Sequence, residues 1–195
     1  SLAEVVSARG PLSSEGAVLF ATRTIRAVMN IHTAGVIHLD LNPSNILLTP
    51  DPLGIRIVDF GISQAVGGAV ADSRPALSAV GYLSPEQVEG KKPTVASDVF
   101  TWACTVCYAA SGKSPFGPGT PAQLRDRAVR ENPDLPALPA ALTPLVEASL
   151  SKDPRKRPTP QAIADALPSK RAANLSGANL RAASLVEVDP EEPIT

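Results

Sequence analysis

The chain has 195 residues, 44% of them hydrophobic and 19% charged, and a formal net charge of −1 at pH 7. These values are typical of a globular protein with one or two domains, and they give no electrostatic basis for binding nucleic acid or an anionic membrane. The apolar stretch from Val99 to Ala110 is much shorter than the roughly 20 residues that a membrane-spanning helix needs. We therefore expect no nucleic-acid partner and no membrane segment in this chain.

The first residue and the two cysteines bear on where the protein works. The chain begins with Ser1 and shows no signal peptide, so we expect its start to be a cut through an excised segment or an incomplete gene. Cys104 and Cys107 have a C-x-x-C spacing but lie in an apolar, helix-like run without a second pair, which favours buried small hydrophobes over a redox or zinc site. We expect a reduced, cytoplasmic protein.

The N-terminal part of the chain is predicted to be helical. Ser1 to Ala8 is predicted to form one or two helical turns, which Gly10-Pro11 ends. A long helix is predicted from Ser13 to about Thr33, because apolar residues recur there at helical spacing, and Gly35 is expected to be its C-cap.

Short strands are predicted after this helix. Three segments rich in aliphatic residues are predicted to be strands: Val36-Ile37, Ile46 to Leu48, and Ile55 to Val58. A polar loop separates the first two, and a turn marked by Pro50, Pro52 and Gly54 separates the last two. Residues 62–83 are rich in Gly, Ala and Ser and are predicted to form a mobile surface loop.

The second half of the chain is predicted to be mostly helical. The expected helices are Thr94 to Ser111, Ala122 to Glu131, Ala140 to Leu150 and Thr159 to Leu167. The first is apolar on most sides and is therefore expected to be buried. Thr159 is expected to cap the last, with Pro160 at its first position. The predicted fold class is mainly α with short β-hairpins.

The sequence changes character after Pro168. A five-residue period runs through Ala173-Asn174-Leu175, Ala178-Asn179-Leu180 and Ala183-Ser184-Leu185, and it matches neither the helix nor the strand period. The pattern resembles the start of a pentapeptide-repeat β-solenoid, but three copies are too few to bury a core. We predict one domain over residues 1–168 and a flexible tail over 169–195, with the start of such repeats as the alternative.

Three short segments in the middle of the chain contain polar residues whose spacing and order indicate a function. Residues 37–48 place Asp40 five positions before Asn45, Asp59-Phe60-Gly61 follows a predicted strand, and Ser84-Pro85-Glu86 comes later. In this order, the segments resemble the catalytic loop, the metal-binding Asp-Phe-Gly turn and the end of the activation segment of a protein kinase.

The resemblance extends over about residues 1–167, and the segment from Tyr82 to Gln87 is similar to that of bacterial Ser/Thr kinases of the eukaryotic type. It implies a protein-kinase-like fold, here the helical large lobe lacking the N-terminal lobe, because the family's Gly-rich phosphate loop, strand lysine and helix glutamate would precede Ser1. It also implies ATP and Mg²⁺ as cofactors, Ser or Thr hydroxyls of proteins as substrates, and negligible activity of this chain alone.

The resemblance assigns roles to four site residues. Asp40 matches the catalytic aspartate that accepts or orients the substrate hydroxyl. Asn45 and Asp59 match the two protein ligands for magnesium, a cation that prefers hard oxygen ligands. Leu47 matches the apolar residue that lies under the adenine ring of ATP.

Three more residues match structural positions of the family. Glu86 matches a glutamate that pairs with a buried arginine, and Arg157 matches that partner. Asp98, at the start of the predicted apolar helix, matches the aspartate that braces the backbone of the catalytic loop. The expected ion pair would fix the activation segment to the helical lobe.

The sequence also departs from the family around the catalytic aspartate. Leu39 stands where the motif has an arginine that grips a phosphorylated activation loop, so we do not expect regulation by that route. Asn42 stands where most Ser/Thr kinases have a lysine that contacts the transferring phosphate, and asparagine carries no charge. Ser78-Ala79 stands where the family usually has Gly-Thr, and Ala79 cannot bond the catalytic aspartate.

These departures leave two alternatives to a Ser/Thr protein kinase. The first is a pseudokinase or protein-docking module, which Leu39, Asn42 and Ala79 favour. The intact Asp40, Asn45 and Asp59 oppose it. The second is a small-molecule phosphotransferase, because those enzymes share an H-x-D-x-x-x-x-N pattern. The Ser-Pro-Glu element, Asp98 and the expected Arg157 pair oppose the second alternative, since a long activation segment serves peptide substrates.

Overall fold

The computed structural model describes residues 1–49, 54–60 and 80–168. Several sequence-based predictions lie outside these ranges: the turn at Pro50 and Pro52, the last residue of the Asp59-Phe60-Gly61 segment, residues 62–79 of the predicted loop, the Ser78-Ala79 departure and the tail at 169–195. The prediction of a surface loop is wrong for residues 80–83, which are buried and begin with a 3₁₀ turn at Val80–Tyr82. Within the described residues, the fold is mainly helical with one small antiparallel hairpin.

The two N-terminal helices begin at serine caps. Helix α1 spans Leu2–Arg9 and starts with a capping box between Ser1 and Glu4. Helix α2 spans Ser14–Thr33, and the Ser13 hydroxyl accepts a hydrogen bond from the Gly16 N–H. Both helices are confirmed. The C-cap of α2 is Ala34, and the predicted cap Gly35 is the next residue, with a left-handed φ of 76°.

Helix α4 is the buried centre of the described structure. It spans Val95–Ser111, begins at a capping box on Thr94 and ends at Gly112, which has a left-handed φ of 74°. Along most of its length its side chains are buried. The indole Nε1 of Trp102 donates to Thr24 Oγ1 at 3.1 Å and to the Ala21 carbonyl at 3.3 Å, which joins α4 to α2.

The other α-helices of the described residues are α3 over Pro85–Val88, α5 over Pro121–Arg130, α6 over Thr143–Ser149 and α7 over Pro160–Ala166, and three-residue 3₁₀ turns lie at Pro43–Asn45, Val80–Tyr82 and Pro154–Lys156. The Thr159 hydroxyl accepts from the Ala162 N–H, which confirms the predicted cap of α7. Helix α6 begins three residues later than predicted. Its residue Pro144 fits the first helical turn, whereas a start at Ala140 would place a proline without an N–H in the helix interior.

The hairpin consists of two three-residue strands. Strand β1 spans Ile46–Leu48 and β2 spans Ile55–Ile57, paired antiparallel with Ile46 opposite Ile57. The predicted strand at Val36-Ile37 is wrong. In the part of the chain that the structure describes, β1 and β2 pair only with each other, and the Val36 N–H donates to the Ile31 carbonyl at the end of α2.

The core lies between α2, α4, α6, α7 and the hairpin. Phe20, Ile25, Phe100, Trp102 and Ile163 are among its buried members. Among the helices of residues 1–49, 54–60 and 80–168, none combines the length and apolarity that crossing a bilayer requires.

The two cysteines belong to this core, as predicted. Cys104 and Cys107 are free thiols on α4, and both are fully buried. Burial raises the pKa of Cys107 to about 12 and the pKa of Cys104 well above its ordinary value. Neither side chain therefore has the thiolate character that redox chemistry or metal binding requires.

We predict that neither thiol reacts with Ellman's reagent in the native protein at mildly alkaline pH, because both are buried and protonated. Both should react once the chain is unfolded in denaturant. Absorbance of the released chromophore measures the number of modified thiols in each state. Rapid modification of the native protein at either cysteine would contradict the placement of α4 in the core.

Candidate functional site

A buried carboxylate at the start of α4 holds the loop at residues 37–45. Asp98 is completely buried, and its oxygens accept hydrogen bonds from the backbone N–H groups of His38 and Leu39, both at 2.8 Å. Its Oδ2 also accepts from His32 Nε2 at 2.8 Å, at the end of α2. Asp98 therefore braces the loop, as the sequence predicted, and ties it to two helices.

The residue between these bonds has an unusual backbone. Leu39 has a φ of 68°, in the left-handed region that residues with a Cβ rarely adopt. Its N–H is held by Asp98, and its carbonyl accepts a hydrogen bond from Gln87 Nε2 at 2.8 Å. The apolar side chain of Leu39 is buried. These contacts on both sides maintain a conformation that costs of order 1–3 kcal/mol.

The carboxylate of Asp40 is bound by two asparagine side chains. Asn42 Nδ2 lies 2.9 Å from Asp40 Oδ1, and Asn45 Nδ2 lies 3.0 Å from Asp40 Oδ2. The same two nitrogens also contact the Asp40 carbonyl, at 3.2 and 2.9 Å. Each carboxylate oxygen thus accepts one amide N–H.

Burial and hydrogen bonding act in opposite directions on Asp40. Burial raises the pKa of its carboxyl above the ordinary value, and the hydrogen bonds from Asn42 and Asn45 oppose that rise by stabilising the charged form. The negative charge of Asp59 adds to the rise. A carboxylate with a raised pKa is a better proton acceptor than a fully solvated one.

His38 connects this loop to the segment that contains Asp59. The Asp40 N–H donates to His38 Nδ1 at 3.3 Å, so the ring proton lies on Nε2, which donates to the Val58 carbonyl at 3.0 Å. Burial lowers the pKa of His38, in agreement with this neutral form. The imidazole also packs on the Phe60 ring, with centroids 4.7 Å apart.

The structure brings some of the predicted site residues into direct contact and others only close together. Asp40 and Asn45 are hydrogen-bonded. Asp59 is exposed, has a left-handed φ of 56°, and follows Val58, whose N–H donates to the Asn45 carbonyl at 3.0 Å. Leu47 is half-buried on β1, and its side chain faces away from those of its strand neighbours, which face the core.

An ion pair fixes the segment after residue 79 to the C-terminal helices. Arg157 Nη1 and Nη2 donate to Glu86 Oε1 and Oε2 at 2.7 and 2.9 Å, and Ser97 Oγ donates to Glu86 Oε1 at 2.7 Å. Both charged side chains are buried. This pair is the one that the sequence predicted. Burial alone would raise the pKa of Glu86, but the bonds from Arg157 and Ser97 lower it below its ordinary value.

Comparison with known proteins identifies this arrangement. A family model described as the protein kinase domain matches residues 1–167. The chain belongs to the protein kinase family. It is 37% identical over 155 residues to the serine/threonine-protein kinase AfsK of Streptomyces griseus, which covers 78% of this chain and 19% of that protein.

Two other relatives of the kinase family give the same result. The chain is 36% identical over 160 residues to the probable serine/threonine-protein kinase PkwA of Thermomonospora curvata, covering 82% of this chain and 21% of the relative. It is 30% identical over 165 residues to the serine/threonine-protein kinase PknB of Mycobacterium tuberculosis, covering 80% and 26%. The chain therefore spans about a fifth to a quarter of the length of these kinases.

In this member of the kinase family, the oxygen atoms near Asp40 fit a metal ion that is also bound by phosphate and water better than one bound by protein ligands alone. No three His, Cys, Asp or Glu side chains among the described residues are arranged to hold a metal ion. The Asn45 nitrogen is turned towards Asp40, so that bond does not use its amide oxygen, and the charge of the exposed Asp59 carboxylate acts on the Asp40 carboxyl. Such a partial set of hard oxygens suits Mg²⁺ that also binds phosphate and water.

Sequence reasoning missed several contacts of the loop at residues 37–45. It noted Asn42 only as a departure and did not place its amide on Asp40. It also missed the hydrogen bond from His32 to Asp98, which are 66 positions apart, and the one from Gln87 to the Leu39 carbonyl, 48 positions apart. The short Asp40 to Asn42 spacing could have indicated the first contact, because Asn side chains often bond nearby backbone. No local pattern marks the other two.

We predict that Glu86→Gln lowers the free energy of unfolding by about 3–5 kcal/mol at neutral pH, because it leaves the charge of Arg157 buried without its partner. The pKa of Glu86 is lowered, so the stability that its charge contributes is present above the unfolded pKa and lost as the pH falls through the folded one. The difference between wild type and variant should therefore shrink on acidification. Urea unfolding at neutral and acidic pH measures it.

Glu89→Gln is the matched control, since Glu89 is exposed and pairs with Lys91 at the surface. Its expected effect is below about 1 kcal/mol. Equal losses in the two variants, or a Glu86→Gln effect that stays constant with pH, would contradict this account of the pair.

Proposed function

We propose that the protein containing this chain is a Ser/Thr protein kinase, and that Asp40 is its catalytic aspartate. The observation that carries the proposal is the carboxylate of Asp40, which Asn42 and Asn45 hold in a loop braced by Asp98. The names of the relatives support Ser and Thr as the acceptor residues.

The proposed reaction is transfer of the γ-phosphoryl group of ATP to a hydroxyl. The hydroxyl oxygen of a substrate Ser or Thr attacks the γ-phosphorus, the bond from that phosphorus to the bridging oxygen breaks, and ADP leaves with the bond's electrons. The hydroxyl proton passes to the carboxylate of Asp40. The raised pKa of Asp40 suits this role, since it moves the carboxyl towards the proton affinity that general-base work needs.

We assign Asn45 and Asp59 as the protein ligands of Mg²⁺. Their amide and carboxylate oxygens are of the hard type that this cation prefers, and His38 and Val58 link the two segments. When bound, the metal supplies positive charge beside the phosphates. We assign Leu47 to the adenine ring, because its half-buried side chain projects from the hairpin two residues after Asn45.

We further propose that residues 1–168 form the large lobe of the kinase and that the two-lobed nucleotide site is completed outside this chain. The predominantly helical fold supports the lobe assignment, and the small share of each relative that the chain covers supports a larger active protein. On this proposal, the isolated chain binds Mg-ATP only weakly. A micromolar affinity measured by calorimetry would overturn this part of the proposal.

A docking module without catalysis is the second candidate. The neutral side chain of Asn42 beside Asp40 favours it, because most Ser/Thr kinases have at this position a lysine that contacts the transferring phosphate. The two candidates differ in one measurable respect, which is whether the rate of phosphate transfer depends on Asp40.

We predict that Asp40→Asn in the full-length protein lowers kcat by about 10²–10⁴-fold, because the amide cannot accept the hydroxyl proton. Transfer of labelled phosphate from ATP to a mixture of Ser- and Thr-containing peptides measures the rate, and mass spectrometry identifies the acceptor. Phosphorylated Ser or Thr residues support the protein kinase, whereas phosphorylated small molecules alone would support the phosphotransferase alternative.

Asp126→Asn is the control, since Asp126 is exposed on α5 and pairs with Arg130 at the surface. It should keep the wild-type rate. Equal background rates in the wild type and Asp40→Asn would overturn the kinase proposal and favour the docking module.

A further inference from the structure

We propose that Asn42 is a positioning residue that orients the catalytic carboxylate by holding Asp40 Oδ1 while Asn45 holds Oδ2. This inference rests on the proposed function of Asp40. It gives Asn42 a role in the chemistry of the loop, although its side chain carries no charge and the sequence showed it only as a departure from the family.

The amide of Asn42 is held in a single orientation by its neighbours. Its Oδ1 accepts the Ser44 N–H at 2.9 Å, at the start of the 3₁₀ turn Pro43–Asn45. Its Nδ2 donates to Asp40 Oδ1 at 2.9 Å and to the Asp40 carbonyl at 3.2 Å. Because a backbone N–H can only donate and a carboxylate can only accept, the two ends of the amide cannot exchange.

Burial strengthens the hydrogen bonds from Asn42 and Asn45 to Asp40. Only 3% of Asn42 and 8% of Asn45 are exposed, so water competes little for either amide. A hydrogen bond to an ionised group is also stronger than one between neutral groups. The plane of the Asp40 carboxylate is therefore set from both sides, by one amide on each oxygen.

The arrangement leaves room for the substrate. An ionised carboxylate offers about four acceptor sites, two on each oxygen. The two asparagine amides use one site on each oxygen of Asp40, so a hydroxyl can still be bound in the carboxylate plane. Holding that plane fixed contributes to the rate through orientation, which depends steeply on the position of the reacting atoms.

The alternative role for Asn42 is purely structural, namely the cap of the 3₁₀ turn through Ser44. Asn42→Asp separates the two roles. A carboxylate at this position still accepts the Ser44 N–H, and Asp caps as well as Asn. It has no N–H to donate to Asp40, however, and it places a like charge beside Oδ1.

We expect Asn42→Asp in the full-length protein to lower kcat about 10–100-fold. The KM for ATP should change by less than about threefold, because a contact that acts only on the reacting carboxylate does not contribute to ground-state binding. Asn42→Ser is the second variant. Its hydroxyl also accepts from Ser44 without adding charge, but it is too short to replace the amide on Asp40, so its kcat should fall as well.

Asn132→Asp is the matched control, since Asn132 is exposed and far along the chain from the loop. It should leave kcat unchanged. Circular dichroism and thermal unfolding show whether each variant is folded at the assay temperature, and the inference is read from whichever Asn42 variant is folded.

Asp40→Asn, assayed in parallel, separates this inference from the function on which it rests. If Asp40→Asn is inactive and a folded Asn42 variant keeps the wild-type kcat, Asn42 is only a cap and the inference is wrong while the kinase stands. If the wild type and Asp40→Asn transfer phosphate equally, or neither does so, the proposed function is wrong and the inference fails with it. A rise in KM for ATP at constant kcat would also overturn it.

Discussion

The carboxylate of Asp98 is the interaction on which the rest of the site depends. It is completely buried, and an unpaired charge in that place would cost several kcal/mol. Three donors satisfy it: the N–H groups of His38 and Leu39, and the His32 ring. The dependence is mutual, because the left-handed backbone of Leu39 needs these bonds to persist. A charge on α4 therefore sets the path of the loop that presents Asp40.

From this fixed path, the functional groups are oriented by neutral side chains. His38 uses one ring nitrogen to accept from the Asp40 backbone and the other to donate to the Val58 carbonyl, so a single ring connects the loop to the segment before Asp59. Asn42 and Asn45 divide the two oxygens of Asp40 between them. Amides orient a carboxylate without neutralising it, so the charge on which the proposed proton transfer depends is preserved.

A second buried charge anchors the other side of the site. The Glu86 and Arg157 pair joins the segment that begins at Val80 to the C-terminal part of the described chain, and Ser97 on α4 contributes a third polar group. Gln87, the residue after Glu86, donates to the Leu39 carbonyl, so the two anchored regions meet at the same strained residue. Two buried acidic side chains, Asp98 and Glu86, therefore hold the two segments that meet at Leu39.

Local signals in the sequence determined the longer helices and indicated the protein kinase family. Ser13, Thr94 and Thr159 predicted helix starts because a cap bonds within three residues of itself, and the spacing of Asp40, Asn45 and Asp59 indicated the family. The tertiary structure alone decided that Val36-Ile37 is not a strand, that His32 and Gln87 support the loop, and that Asn42 binds Asp40. Strand pairing and long-range side-chain bonds depend on which distant segments pack together. That packing cannot be predicted from the residues on either side in the sequence.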